Sequence, residues 1–403
     1  MRADNPDLVT VVGIGAGGWS DVGRTGRSTV DDAEVILGSA RQLDLLPASV
    51  AGLRVPWPSP LLPALPGLLD AHRGRRVCVL ASGDPMFHGI GATLVRLLGA
   101  DRVRVEPHLS SASLAAARLG WALDGLDVLS LVTGPVDAVR RCLNPGRRFL
   151  ALSRDGSTPA LVAGVLVGAG YGSARVTVLS QLGGPGEQVV SGTAAEWSLP
   201  AGDPLNVIAV ECGDGPATAI VPGLPDSAYA GDGQLTKREV RAVTMAALAP
   251  VPGALLWDVG AGSGSIGIEW MRSHPSCRAV AVESSPERCV TIRSNAALLG
   301  TPYLQVIEGR APAALAGLPA PDAVFIGGGL TTEGVLDACQ AALRPGGRLV
   351  ANAVTVESEA VIAAGHAKLG GELTRLTVSR GSPLGGFTGW RTMMPVTIWS
   401  VTK

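Results

Sequence analysis

The sequence predicts an α/β protein made of two separate units, and three features of the chain support this prediction. An apolar strand runs into a glycine-rich turn twice, at residues 8–18 and again at 256–267. A turn of this kind, followed by a helix, is typical of α/β sheets that hold nucleotide-like ligands. Hydrophobic residues make up 46% of the chain and charged residues 17%, which suits sheets buried on both faces. At 403 residues the chain is also too long for one ordinary core.

Composition argues against several classes of partner. The net charge is −1 and long runs of Lys or Arg are absent, so we expect neither nucleic acid nor an anionic membrane as a partner. The longest apolar run, 159–169, is shorter than the roughly 20 residues that a membrane span needs. Asp4 and Asp7 precede the first apolar segment, opposite to the charge order of a signal peptide, so we expect a cytoplasmic protein. Cysteine and histidine spacings predict buried thiols and no metal site.

The first glycine turn does not fit a dinucleotide site. Gly13, Gly15 and Gly18 satisfy the pattern G-x-G-x-x-G, which alone is a weak signal. A dinucleotide domain also needs an acid at the end of the next strand to bind the ribose. The next strand, 35–37, ends instead in Gly38 and a serine, which argues against NAD at this position.

A second turn follows the strand at 75–81 and contains Gly83, Asp84 and Pro85. Such a turn lies at the strand edge where open α/β sheets bind ligands, although a purely structural turn remains an equal alternative. The serines at 110–113 are predicted to cap a helix over 114–120. A second lobe should then contain a helix over 159–169 and strands near 127–132, 148–152, 175–179 and 205–210.

Taken in order, these motifs resemble the tetrapyrrole (corrin/porphyrin) methylases. The resemblance rests on the turn at 13–18, Ser-Gly-Asp-Pro-x-Phe-x-Gly-Ile at 82–90, Ser-Ser-Ala-Ser at 110–113, and Leu-Ser-x-Asp-Gly-x-Thr-Pro at 152–159. It implies a two-lobed fold with S-adenosylmethionine in the cleft between the lobes. The implied cofactor contacts are Gly13, Gly15, Gly83, Asp84, Met86, Ser110, Ser111 and Leu152.

Two sites, three residues in all, depart from the pattern of that family. Ala16 stands where the family usually has Pro, which leaves the glycine turn more flexible. Val132 and Thr133 stand where its cobalamin branch usually has His-Gly, which puts any histidine role there in doubt.

A Gly/Pro-dense stretch at 213–230 is predicted to be a linker, and a helix should begin shortly after it. Thr236 and Glu239 have the spacing of a capping box at the start of this helix. Lys237 lies in the first helical turn, where a cation is unfavourable unless an anion is nearby.

The second glycine turn, after the strand 256–259, can hold either a dinucleotide or S-adenosylmethionine. Glu283 ends the next strand, where a carboxylate accepts hydrogen bonds from ribose hydroxyls in both classes of site. Further strands are predicted at 304–309, 321–329 and 395–402, and residues 343–350 are predicted to contain a helix end, a tight turn and a fifth strand. This order resembles the Rossmann-like class I methyltransferases, whose last strand is antiparallel to the others.

Motifs in this half resemble the decarboxylating precorrin methylases more narrowly. They are Gly-Gln-Leu-Thr-Lys-Arg-Glu-Val-Arg at 233–241, Phe-Ile-Gly-Gly at 325–328, Leu-Val-Ala-Asn-Ala-Val-Thr at 349–355, and Pro-Val-Thr-Ile-Trp-Ser at 395–400. Arg310 replaces an acid that often contacts adenine in this family, so backbone at Gly309 and Ala311 is expected to hold the base. The implied cofactor contacts are Thr236, Asp258, Gly260, Gly262, Ser263, Gly264, Glu283, Gly309 and Ala311.

Both halves in this order resemble the fused precorrin-6Y methyltransferases of cobalamin biosynthesis. The resemblance implies S-adenosylmethionine-dependent methylation at carbons 5 and 15, with loss of the ring C acetate carboxyl, to give precorrin-8. It also implies carbon 5 chemistry in the N-terminal half, carbon 15 chemistry and decarboxylation in the C-terminal half, and a homo-oligomer. The predicted domains are 1–212, with lobes of about 1–109 and 110–212, and 231–403.

Methyl transfer to an electron-rich macrocycle needs alignment and a dry site rather than a strong base. The substrate carboxylates need cationic anchors, and we name Lys237, Arg241, Arg380 and Arg391 as hypotheses. Two alternatives stay open from the residues. One is a nicotinamide-dependent oxidoreductase, and the other is an enzyme whose N-terminal half is only a tetrapyrrole-binding scaffold.

Overall fold

A computed structural model describes residues 8–403 and divides them into two compact units. The first contains the chain up to Val136 together with Asn144–Pro216, and the second contains Asp137–Leu143 together with Ala217–Lys403. Within residues 8–403, no helix has both the length and the apolar content to cross a bilayer. All six cysteines are buried.

The first lobe of the N-terminal unit is a five-stranded parallel sheet in the order β3-β2-β4-β1-β5. Its strands are β1 (Val9–Ile14), β2 (Val35–Gly38), β3 (Leu53–Pro56), β4 (Val77–Ser82) and β5 (Val103–Glu106). Its helices are α1 (Arg24–Asp31), α2 (Ala40–Asp44), α3 (Leu61–Asp70) and α4 (Ile90–Leu98). Val11 and Val12 belong to apolar clusters on opposite faces, so β1 is buried on both sides as its continuous apolar run predicts.

The second lobe is a mixed sheet in the order β6-β7-β10-β8-β9. Its elements are α5 (Ser111–Leu119), β6 (Asp127–Ser130), β7 (Arg148–Leu152), α6 (Thr158–Gly168), β8 (Arg175–Ser180), β9 (Gln188–Thr193) and β10 (Asn206–Glu211). The four predicted strands are present. Strand β9 was not predicted, because it is an edge strand whose residues are largely exposed and lack an apolar face.

The C-terminal unit is built on a seven-stranded sheet in the order β13-β12-β11-β14-β15-β19-β16. Its strands are β11 (Leu255–Val259), β12 (Arg278–Glu283), β13 (Gln305–Glu308), β14 (Ala323–Ile326), β15 (Arg348–Ala353), β16 (Glu372–Leu376) and β19 (Val396–Thr402). Its helices are α7 (Arg238–Leu248), α8 (Ser265–Ser273), α9 (Pro286–Leu298), α10 (Val335–Ala342) and α11 (Val356–Leu369). Strand β19 is antiparallel to both β15 and β16, which confirms the predicted antiparallel last strand.

Two further strands, β17 (Ser379–Leu384) and β18 (Phe387–Thr392), form a separate antiparallel hairpin. Short 3-10 turns complete the chain at Gly18–Asp21, Leu123–Gly125, Val136–Cys142, Asp226–Ala228 and Ala313–Leu315.

The start of α7 differs from the prediction. The predicted capping box of Thr236 and Glu239 is wrong, because the N-cap residue is Lys237, whose side chain makes no capping hydrogen bond. The carboxylate of Asp226 instead accepts a hydrogen bond of 2.9 Å from the backbone N–H of Arg238. Glu239 forms an ion pair with Arg380, so its side chain is engaged elsewhere.

The start of α8 gives a test of the glycine turn. Gly264 has φ +77°, and a Cβ there would lie 2.7 Å from Cγ2 of the buried Ile292. Gly253 has φ +84° but open space around it, so it serves as the matched control. We expect Gly253→Ala to lower the unfolding free energy by about 1 kcal/mol through backbone strain. Gly264→Ala should cost a further ~1–3 kcal/mol through the added clash, and urea denaturation of both variants checks this. Equal losses of unfolding free energy in the two variants would contradict a costly contact between the added Cβ and Ile292.

Candidate functional site

The glycine turn after β11 forms one wall of a cavity in the C-terminal unit. Gly260 and Gly262 have φ values of +69° and +59°, which favour glycine. A Cβ on Gly260 would lie 2.6 Å from Cα of Gly328, so this loop and the one after β14 touch backbone to backbone. A cavity of about 560 Å³ opens beside them. The turn therefore creates a concave edge at the carboxyl ends of the parallel strands.

Glu283, at the end of β12, holds this edge together. It is 5% exposed, and its Oε2 accepts a hydrogen bond of 2.9 Å from the N–H of Gly262. Its Oε1 accepts hydrogen bonds of 2.8 Å and 3.0 Å from the N–H groups of Ser284 and Ser285. The carboxylate also lines the cavity, and its two oxygens have further acceptor capacity for ligand hydroxyls.

Asp258 lies behind the cavity wall rather than in it. It is fully buried, and its Oδ2 accepts a hydrogen bond of 2.9 Å from the N–H of Gly267 in α8. Its Oδ1 has no partner among residues 8–403. Burial raises the pKa of this carboxyl to about 7, and the nearby charge of Glu283 adds to the increase. Asp258 thus stabilises the glycine turn through its hydrogen bond to α8 and does not line the cavity.

The structure gathers seven of the C-terminal residues that the sequence implicated around this one cavity. These are Thr236, Lys237, Gly260, Gly262, Glu283, Gly309 and Ala311. Ser263 lines an adjoining cavity of about 400 Å³, and Gly264 stands behind the turn at the start of α8. Arg310, the departure from the family pattern, also lines the main cavity.

Sequence reasoning missed several residues of the cavity wall. These are Gln234, Arg288, Gly327, Asn352, Met393 and Met394. Gly327 and Asn352 could have been found, because both stand at the carboxyl end of a predicted strand, where α/β sheets bind ligands. The two methionines follow the unpredicted hairpin and carry no local signal.

The prediction that Arg241 anchors a substrate carboxylate is corrected by its position. Its side chain is fully buried, and its Nε donates a hydrogen bond of 2.6 Å to Glu269. The guanidinium also donates to the carbonyls of Thr236 and Leu224, and its centre lies 4.7 Å from the centroid of the Tyr229 ring. All of these partners are groups of the protein itself, so Arg241 has a structural role.

Arg380 and Arg391 lie opposite each other on the β17–β18 hairpin. Arg380 bonds to Asp226 at 3.0 Å and to Glu239 at 2.5 Å, and this contact lowers the pKa of Glu239. Two carboxylates therefore already engage the Arg380 guanidinium. Arg391 is exposed, which leaves it accessible to a ligand.

In the N-terminal unit, the glycine turns after β1 and β4 are packed together. A Cβ on Gly13 would lie 2.4 Å from the carbonyl oxygen of Gly83, and the N–H of Gly83 donates to the carbonyl of Ile14 at 3.1 Å. Gly83 has φ +59°. A Cβ on Gly15 would lie 3.0 Å from the His108 ring. The two turns thus share one edge of the sheet.

The other predicted residues of this unit fall into three positions. The Oδ1 of Asp84 accepts a hydrogen bond of 2.8 Å from the N–H of Met86, whose side chain is 47% exposed. Ser110 caps α5 by accepting from the N–H of Ser113, as predicted, but the helix begins at Ser111, three residues before its predicted start. A Cβ on Gly83 would lie 3.5 Å from the nitrogen of Ser111, so these serines adjoin the glycine turns. Leu152 is half-buried at the end of β7 in the other sheet.

Comparison with known families defines the class of protein. Residues 8–197 match the family of tetrapyrrole (corrin/porphyrin) methylases. Residues 227–403 match a precorrin methyltransferase domain. The fold and these two matches therefore define a methyltransferase that fuses these two types of domain.

Full-length relatives identify the particular family. The chain is 49% identical over 398 residues to a precorrin-6Y C(5,15)-methyltransferase [decarboxylating] of a Sinorhizobium species, covering 98% of this chain and 96% of the relative. It is also 49% identical over 400 residues to the protein of that name from Mycobacterium tuberculosis, covering 98% and 100%. A probable cobalt-precorrin-6B C(15)-methyltransferase (decarboxylating) from Pyrobaculum calidifontis is 35% identical over 184 residues, covering 44% of this chain and 94% of the relative. The chain belongs to the family of decarboxylating precorrin-6Y C(5,15)-methyltransferases.

The raised pKa of Asp258 gives a testable pH dependence. An unfolded Asp titrates near pH ~4, so its carboxyl contributes stability fully below that pH and loses it as pH rises through about 7. Asn cannot ionise, yet its amide oxygen can still accept from the N–H of Gly267. We therefore expect Asp258→Asn to gain stability relative to the wild type between pH ~4 and about 7. Urea unfolding at several pH values measures the difference, and a difference independent of pH would contradict the shifted pKa.

Proposed function

We propose that this chain transfers methyl groups from S-adenosylmethionine to carbons 5 and 15 of precorrin-6Y and releases the ring C acetate carboxyl as carbon dioxide. The observation that carries this proposal is the cavity beside Gly260, with Glu283 in its wall, in a chain that matches a named relative over 96% of that relative. The close-packed glycine turns of the N-terminal unit are the second cofactor site of the proposal.

The residues of the C-terminal cavity fit S-adenosylmethionine. Glu283 supplies carboxylate acceptors for two ribose hydroxyls, and the backbone of Gly309 and Ala311 lines the position proposed for adenine. Glycines at 260 and 262 permit the close approach of a ligand to the backbone. When bound, S-adenosylmethionine supplies an electrophilic methyl group on a sulfonium.

The same cavity can exclude water from the methyl acceptor. Apolar side chains line part of it, including Phe325, Val354, Met393, Met394 and Val396. An apolar wall suits a flat macrocycle and keeps its reacting carbon dry. The chain's contribution is then alignment and desolvation, which agrees with the absence of a nucleophile–base pair from this wall of the described structure.

Cationic residues near this cavity are proposed to bind the peripheral carboxylates of the substrate. Lys237 is half-buried in the cavity wall at the N-cap of α7, where an anionic ligand would relieve an unfavourable interaction with the helix dipole. Arg391 is exposed on the hairpin that leads to Met393. Arg241 is left out of this proposal.

We assign carbon 15 and the decarboxylation to the domain at 231–403, and carbon 5 to the domain at 1–212. The match of residues 227–403 to a precorrin methyltransferase domain supports this division, as does the Pyrobaculum relative, whose name specifies C(15) and decarboxylation. We also propose that the protein is cytoplasmic and assembles as a homo-oligomer.

Counting transferred methyl groups tests the function. With labelled S-adenosylmethionine and precorrin-6Y, the wild type should transfer two methyl groups per substrate and release carbon dioxide. Glu283→Ala removes the proposed ribose acceptor, so we expect at most one methyl group and no carbon dioxide. Asp84→Ala loosens the turn of the N-terminal site, so we expect at most one methyl group with carbon dioxide still released. Transfer of fewer than two methyl groups by the wild type would contradict the proposal.

The carboxylate anchors are tested separately by steady-state kinetics. Removing one charged hydrogen bond costs about 1.5–3 kcal/mol, so Lys237→Ala should raise the KM for precorrin-6Y roughly 10- to 100-fold. Arg391→Ala should raise it less, since an exposed charge contributes about 1 kcal/mol or less. The melting temperature of each variant serves as the control. It should stay at the wild-type value, because neither side chain is part of the core. An unchanged KM in both variants would exclude these anchors.

A further inference from the structure

A buried carboxamide in the cavity wall has an unused hydrogen-bond acceptor. Asn352 is half-buried near the carboxyl end of β15 and lines the cavity. Its Nδ2 donates a hydrogen bond of 2.9 Å to Oγ1 of Thr244, which is fully buried in α7. Its Oδ1 is also buried, and it has no partner within residues 8–403. Because a buried acceptor without a donor is costly, this arrangement points to a donor that arrives with a ligand.

The position of Asn352 separates it from the residues proposed to hold the cofactor. In the register of β14 and β15, Ile326 pairs with Ala351, so Asn352 is level with Gly327. Strand β14 lies between β15 and β11, and β12 lies beyond β11. At roughly 4.8 Å per strand, Asn352 is about 10 Å across the sheet from the strand before Gly260 and about 14 Å from that of Glu283. Asn352 therefore belongs to the part of the cavity left for the methyl acceptor.

The side chains around Asn352 indicate which kind of ligand can donate a hydrogen bond to its Oδ1. Val354 lies two residues beyond Asn352 and is level with Val396 of β19, and both line the cavity together with Met393 and Met394. A tetrapyrrole has apolar faces and ring N–H groups, whereas its carboxylates lie at the periphery. An amide oxygen accepts from an N–H group and does not attract a carboxylate. The unbranched methionine side chains can shift to admit such a donor.

We propose that Asn352 binds the tetrapyrrole substrate in the C-terminal unit, with its Oδ1 accepting a hydrogen bond from a ring N–H. This inference rests on the proposed function and adds a specific substrate contact to it. Thr244 is the positioning residue, because its hydroxyl holds Nδ2 and so directs Oδ1 toward the cavity. The contact would orient the macrocycle with respect to the methyl donor, and an analogue without a ring N–H donor at that place would bind less well.

Three binding measurements on the full-length protein test the contact. Asn352→Leu removes the acceptor and keeps the branched shape of the side chain, so the dissociation constant for precorrin-6Y should rise about tenfold. The dissociation constant for S-adenosylhomocysteine, measured by calorimetry, should stay within about twofold, because the proposed ribose acceptor Glu283 lies three strands away from Asn352. Asn352→Asp keeps an acceptor oxygen in place, so it should bind the substrate within about threefold of the wild type.

Variants of Thr244 distinguish positioning from packing. Thr244→Val keeps the shape and removes the hydroxyl, which frees the carboxamide to rotate, so substrate affinity should fall about threefold. Thr244→Ser restores a hydroxyl and should recover most of that affinity despite the lost methyl group. If both Thr244 variants lowered the melting temperature and left substrate affinity unchanged, the positioning role would be wrong.

Each remaining outcome decides the proposal. Wild-type substrate affinity in Asn352→Leu would overturn it, and a matching loss of S-adenosylhomocysteine affinity would assign Oδ1 to the cofactor instead. A loss in Asn352→Asp as large as in Asn352→Leu would show that the amide acts as a donor. If the wild type transfers no methyl group to precorrin-6Y, the proposed function fails and this inference fails with it. If the wild type transfers methyl groups and Asn352→Leu binds precorrin-6Y with the wild-type dissociation constant, only this inference fails and the proposed function stands.

Discussion

The cavity of the C-terminal unit depends on one buried carboxylate. Glu269 is 2% exposed and accepts hydrogen bonds from the N–H groups of Gly223 and Leu224, the hydroxyl of Tyr229 and the Nε of Arg241. A buried charge is tolerated only when it is paired and hydrogen-bonded, and these four donors meet that need. Arg241 in turn donates to the carbonyl of Thr236, which lines the cavity. The ion pair thereby attaches the segment leading into α7 to the core and fixes the wall that this segment provides.

A second set of charges holds the hairpin that leads to another part of the cavity wall. Asp226 accepts from Arg380, which also pairs with Glu239 at the start of α7. The β17–β18 hairpin is held in this way, and the chain that leaves it provides Met393 and Met394 to the cavity. Asp226, Glu239 and Arg380 therefore shape the cavity indirectly, because they hold the hairpin and the start of α7 in place. The identity of Arg380 as an arginine matters because a planar guanidinium can bond to two carboxylates at once.

The sequence predicted the elements whose signals are local. Leu255–Val259 is a short apolar run before glycines, and Glu283 ends the next such run, so both strands and their turns were identified. The roles of the arginines were not predictable in this way, because their partners are distant in the sequence. Arg241 contacts Glu269, which lies 28 residues later, and Arg380 contacts Asp226, which lies 154 residues earlier. The hairpin residues are mostly exposed and lack an apolar face, although the Gly385-Gly386 pair at its turn was a usable signal.

The same backbone constraint recurs in two sheets of different build. Gly13 meets the carbonyl of Gly83 in the parallel sheet of the N-terminal unit, and Gly260 meets Gly328 in the C-terminal unit. In each pair the loops that leave two adjacent strands approach so closely that a single Cβ would fill the space between them. Since a Cβ at Gly13 or at Gly260 would overlap the neighbouring backbone, glycine is required at both positions for the two strand ends to meet. Two sheets of different strand order thus depend on the same kind of backbone contact, and in the C-terminal unit this contact lies beside the cavity that Glu283 and Asn352 line.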